Sequence, residues 1–173
     1  DTNASVNDVR STCETGKRFT LRVYVHNGAS QDNNGNGSGA SVAKNTKVKV
    51  DLKNAIAKSG FAPDATISSS NAAAKSDGMS ITCTDGKVVK LSYVKDTAKQ
   101  FTSAGTQSLS NDIVTTGAAI GTKSPDGNVW GCWEQRVYVT LTVEVKEAPV
   151  VIPTDAICKI ENGGFVVIDN KKR

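Results

Sequence analysis

Between Val137 and Val145 apolar and polar residues alternate without a break. Val137, Val139, Leu141, Val143 and Val145 fall on one side; Tyr138, Thr140, Thr142 and Glu144 fall on the other. Successive side chains of a strand point to opposite faces, so the run predicts a long strand with one face buried and one in water. Just before it stands Trp130-Gly-Cys-Trp133, with two large aromatics flanking a cysteine. The same alternation fills Lys17 to His26, with Phe19, Leu21, Val23 and Val25 inward, and it stops at the turn pair Asn27-Gly28. It returns from Thr46 to Leu52, where Lys47, Lys49 and Asp51 face outward and the lysines suit an exposed sheet edge. Shorter runs predict strands over 65–70 and 79–83, and Asp85-Gly86 predicts a hairpin returning over 87–94. Residues 54–60 read as one helical turn and 96–109 as loop. The low-complexity run ASQDNNGNGSG, Ala29 to Gly39, reads as a mobile loop. The stretches 112–116 and 118–122 fit no single element. The pattern as a whole predicts an all-β, antiparallel β-sandwich built on the 137–145 strand, with a β tail behind it.

At 173 residues the chain suits one domain with a little left over. Aromatics make up only 5%, so the core must rest on Val, Ile, Leu and Ala. The formal charge is +4, with lysines scattered along the chain. No basic run with interleaved aromatics exists, which argues against nucleic acid as a partner. No apolar run reaches eighteen residues, so direct membrane insertion by a helix is not expected. No leader is visible, so a secreted protein would be represented here by its mature chain or a fragment.

Four cysteines, Cys13, Cys83, Cys132 and Cys158, stand far apart, with no CxxC pair and a single histidine, His26. Structural zinc sites use paired ligand motifs, so this spacing favours one or two disulfides in an oxidising compartment. Four cysteines allow three connectivities. Cys83–Cys132 is the preferred pair, because both sit at predicted strand edges, which leaves Cys13 and Cys158 near the two ends. Closing a loop of roughly fifty residues stabilises by about 4 kcal/mol in the chain-entropy model.

The run Gly16, the strand Phe19 to Val25, Asn27-Gly28, Ala43 and Asn45, then Val48, Val50 and Leu52 resembles the immunoglobulin-like conserved-repeat domains of bacterial and archaeal surface proteins. Lys53 stands where those repeats carry a proline. The stretches LSYVKDTAKQF, LSNDIVTTGAAIGTKSPDG and NVWGCWEQRVYVTLTVEV look like a branch found in large secreted chains of small-genome bacteria. The resemblance covers about the first hundred and forty residues. It implies an immunoglobulin-like sandwich, an extracellular or cell-surface location, a role in stalks, adhesins or repeat arrays, and no catalysis.

Candidate chemistry is sparse. His26 lies at the outward end of a strand with no nucleophile motif beside it, and reads as a surface side chain near a turn. Asp32, Asn34 and Asn36, followed by Gly37, open like a calcium loop with oxygens at positions 1, 3 and 5. Ala43 replaces the bidentate Glu expected at position 12, so no cofactor is expected and calcium is the only one the residues suggest. Asn3 and Asn36 are N-glycosylation acceptors in form. Trp130 and Trp133 either pack at the edge of the core or form an exposed sugar-stacking platform. An inward Lys–Asn isopeptide bond is disfavoured, because the lysines mostly alternate outward.

The domain is expected to span 1–147, followed by a proline-stiffened connector over 148–155 and a β tail over 156–173. The tail carries Phe165, Val166, Val167 and Ile168, an apolar run too short to fold alone. Three fates are open to it: pairing with its own sandwich, starting a tandem domain, or adding to a neighbour's sheet to make a fibre. The expected role is structural and non-enzymatic, by self-association or tandem arrangement in a surface fibre, pilus or stalk. The alternative is a module that binds carbohydrate or a host protein.

Overall fold

The computed structural model describes residues 7–53, 55–149, 157–161 and 164–168. Among the described residues fifteen strands follow one another: β1 (Asp8–Ser11), β2 (Arg18–Val25), β3 (Lys47–Asp51), β4 (Ile56–Ala57), β5 (Gly60–Phe61), β6 (Asp64–Ser68), β7 (Lys75–Gly78), β8 (Ser80–Cys83), β9 (Val89–Tyr93), β10 (Lys99–Thr102), β11 (Gly105–Ser108), β12 (Ala118–Ala119), β13 (Val137–Glu147), β14 (Ile157–Glu161) and β15 (Gly164–Ile168). The helical elements among the described residues are short 3-10 turns. The protein is an all-β sandwich.

The first sheet is organised on β13, 11 residues long. Along one edge it pairs antiparallel with the whole of β2, from Val137 opposite Val25 to Glu144 opposite Arg18. Its other edge is shared. β10 covers the N-terminal half, Lys99–Phe101 against Tyr138–Thr140, and β9 covers Val143–Glu147. β11 extends the sheet beyond β10, and β4 beyond β9. Val137, Val139, Leu141, Val143 and Val145 are all wholly buried, as the period-2 pattern requires.

The facing layer has the order β12-β3-β6-β7, continued by a small sheet β1-β8-β5. These two pieces share one register. Phe61 lies opposite Ile81, Asp64 opposite Gly78, and between them Met79 N–H donates to the Pro63 carbonyl. A single bent ribbon thus splits at Pro63, which has no N–H to give to a ladder. Val48, Val50, Phe61 and Ile81 from this layer join Leu21, Leu91, Leu141 and the β13 valines in one core.

Several local expectations change in three dimensions. In place of the helical turn expected over 54–60, the chain from 55 to 61 holds the short strands β4 and β5. β3 lies between β12 and β6, so its lysines mark a solvent face rather than a sheet edge. Asp85-Gly86 turns the chain, but β8 and β9 belong to different sheets and do not pair, so the hairpin is a crossover between layers. Residues 99–108, expected as loop, form the β10–β11 hairpin.

The disulfide also differs. Cys13 pairs with Cys83, across a sequence separation of 70, and Cys132 keeps a free thiol. The reason is the parallel pairing of β1 with β8, which sets Ser11 beside Cys83, so that Cys13, two residues further on, comes to a Cα separation of 5.3 Å from it. In the chain-entropy model this closure stabilises by about 4 kcal/mol.

Candidate functional site

Two surfaces stand out, and β2 contributes to both. The first is its open edge. Val145 N–H donates to the Lys17 carbonyl, and bonded and non-bonded pairs alternate along an antiparallel ladder. The backbone groups of Arg18, Thr20, Arg22 and Tyr24 therefore face away from β13. Among the described residues, β2 pairs with no other strand. β7 ends the facing layer on the same side, and a groove of about 610 Å³ runs between them. Val9, Val23, Val50, Ala65, Ile67 and Met79 line its apolar part. β2 itself reads Arg-Phe-Thr-Leu-Arg-Val-Tyr-Val, eight residues with no proline or glycine to interrupt the edge and with charge only at Arg18 and Arg22.

The second surface is the outer face of the first sheet. Register sets Phe101 beside Tyr138 and Tyr138 beside Tyr24, an aromatic row across three strands. The next row along the strands is Lys99, Thr140 and Arg22. Trp133, in a 3-10 turn just before β13, leans over this face, with its ring centroid 5.1 Å from His26 and 6.4 Å from Tyr24. Tyr24 and Tyr138 are 5.4 Å apart. Trp133 is 60% exposed, Tyr24 41% and Phe101 38%. His26 lies against rings rather than beside a nucleophile, the surface position expected of it.

The two tryptophans separate. Trp130 is half-buried under the 29–39 loop, where Gly37 sits so close that a Cβ would come within 3.1 Å of the indole nitrogen. Lys123 Nζ lies 5.2 Å from the Trp130 ring. Trp130 is thus a packing residue, and Trp133 alone belongs to an exposed face.

The calcium candidates are likewise split. Asn34 is buried, and its amide closes a two-bond ring with one peptide: Nδ2 donates to the Gly131 carbonyl at 2.9 Å, and Gly131 N–H donates to Oδ1 at 2.8 Å. Asp32 accepts a bond from the Ser30 hydroxyl, and Asn36 is exposed with φ 52°. Both ends of the Asn34 amide are spent on holding the loop to the Trp130 segment. Gly39 is equally fixed, since a Cβ there would meet the Asn33 carbonyl at 1.9 Å. The glycines of this run allow close backbone packing; the loop is two 3-10 turns clamped in place, not a free tether. Among the described residues no three His, Cys, Asp or Glu side chains converge as a metal site.

In the tail, Phe165 to Ile168 lie in β15, which pairs antiparallel with β14, with Ile160 opposite Phe165 and Cys158 opposite Val167. Asn3 and most of the 148–155 connector lie outside the described residues. Sequence reasoning found Trp133 but not the row beside it, because Tyr24, Tyr138 and Phe101 meet only through strand register.

Among known proteins, no family model fits the chain, and no curated protein or solved structure matches it significantly. The class the fold defines is an all-β sandwich, with one disulfide among the described residues. Among the described residues no helix is long and apolar enough to cross a membrane.

Proposed function

We propose that this chain is a non-enzymatic structural module of the cell surface, a building block of a fibre, pilus or adhesin stalk. One observation carries the reading: β2 is a long sheet edge, unpaired among the described residues, that borders an apolar groove. An extended segment laid along it would gain backbone hydrogen bonds from β2 and send alternate side chains into the groove. The apolar run Phe165–Ile168 is the segment of this chain suited to do so in a neighbour, and head-to-tail addition of that kind propagates instead of closing. The Cys13–Cys83 bridge supports an oxidising, extracellular setting.

The test is the state of assembly. The full chain should form linear, concentration-dependent oligomers in sedimentation velocity and negative-stain microscopy. Removal of residues 150–173 should leave a monomer. Thr20→Pro removes one outward N–H from the β2 edge, where proline is tolerated, and should also give folded monomer. A synthetic peptide of residues 157–168 should compete with assembly and protect the Thr20 and Arg22 amides from exchange. A full chain that stays monomeric at high concentration overturns the reading.

A further inference from the structure

We propose that the outer face of the first sheet is a binding site for an acidic polysaccharide, a sugar chain bearing carboxylate or sulfate groups. The proposal does not rest on strand addition, although Arg22 and Tyr24 belong both to this face and to the lining of that groove.

The face combines two kinds of group in adjacent rows. Phe101, Tyr138 and Tyr24 form a row about 10 Å wide, and one pleat away, about 7 Å along the strands, lies the row of Lys99 and Arg22. Arg136 closes the opposite side: its guanidinium carbon is 5.4 Å from the Trp133 ring centre and 6.0 Å from that of Tyr138. Arg22 lies 5.7 Å from the same Tyr138 ring. Neither Arg22 nor Arg136 forms an ion pair among the described residues. Acids are kept off these rows. Glu144 lies two rows further along and is bound by Arg18 at 2.7 Å, and Glu134 sits in the 3-10 turn. Cations and exposed rings therefore meet on one face with neither arginine taken up in an ion pair among the described residues. Rings hold two guanidiniums in position by cation–π contact and leave their N–H forks free for carboxylate or sulfate.

An aromatic and basic sheet face also suits single-stranded nucleic acid. Two features favour the sugar. Bases need open ring faces, yet Tyr138 is overlaid by two guanidiniums, and the neighbouring rings are tilted by 33° to 81° instead of lying as parallel shelves. The disulfide also suits an oxidising compartment, where acidic polysaccharides abound.

The experiment measures retention of the full chain on immobilised polygalacturonate, heparin, neutral dextran and oligo(dT) at low ionic strength, with light scattering of the same samples to separate avidity from site affinity. The expected result is retention on one or both acidic polysaccharides and none on dextran. Arg22→Gln combined with Arg136→Gln should weaken retention by roughly tenfold or more, and Trp133→Ala by several-fold. Arg18→Gln removes the same charge from the same strand outside the rows and should change retention less than twofold. Circular dichroism and thermal melting confirm that each variant is folded. The proposal is overturned by absence of retention on both acidic polysaccharides, by tighter retention on oligo(dT), or by an Arg18→Gln loss equal to that of Arg22→Gln.

Discussion

The two layers of this sandwich are held by different means. The first sheet rests on β13, whose alternate side chains are wholly buried over nine residues and which is paired along its length on one side and by two strands on the other. The opposing layer is assembled from strands of two to five residues, broken at Pro63 and tied to the N-terminal segment by a covalent bridge. Long strands gain cooperative pairing and burial from a simple repeat. Short strands do not, and a crosslink compensates by restricting the unfolded chain. The same fold thus contains a layer written in hydrophobic periodicity and a layer dependent on oxidation.

The sharpest way to break this contrast is to remove the bridge. Cys13→Ser with Cys83→Ser should cost about 4 kcal/mol, read as a lowered denaturation midpoint, and should raise hydrogen exchange in β1, β5 and β8 before β13 and β2. Uniform loosening of both layers would erase the distinction. Next in size, Leu141→Ala opens a cavity at the centre of the first sheet and should cost about 3 kcal/mol, as much in reducing as in oxidising buffer. Asn34→Ala leaves the buried Gly131 peptide without partners and should cost about 2 kcal/mol, with faster exchange confined to the 29–39 loop and residues 130–132. Smallest, Arg18→Gln deletes an ion pair whose arginine is largely exposed and should shift stability by about 0.5 kcal/mol or less.

How legible each region was follows from the same contrast. β2 and β13, with every inward residue, are readable because their period is unbroken. The β10–β11 hairpin is not, because its inward position is Gln100, a polar residue that breaks the pattern. Gln100 is fully buried and satisfied by two partners: its Nε2 donates to the Gly121 carbonyl and Gly121 N–H donates to its Oε1, each at 3.0 Å, and Nε2 also donates to Gln107 Oε1 at 2.6 Å. β7 carries only exposed residues and so leaves no apolar trace. β4 and β5, at two residues each, are too short to show any period. Asp85-Gly86 is a correct local turn whose partner strands are chosen by tertiary packing. Cysteine spacing could not choose between bridges, because the choice depends on a parallel pairing of β1 with β8 over some seventy residues. The candidate surfaces share this property. An open edge is defined by which strand is missing beside it, and an aromatic row by register, and neither is local in the chain.

The Cys13–Cys83 bridge has a mechanical consequence if the module is loaded in series with others. Everything between the two half-cystines is locked in a closed ring, so tension entering at the termini bypasses it. About 240 Å of extended backbone is withheld from the length released when the domain gives way. Single-molecule stretching should show that increment appear on adding reductant, and an oxidised array would be a short-yielding tether where a reduced one is a long-yielding spring.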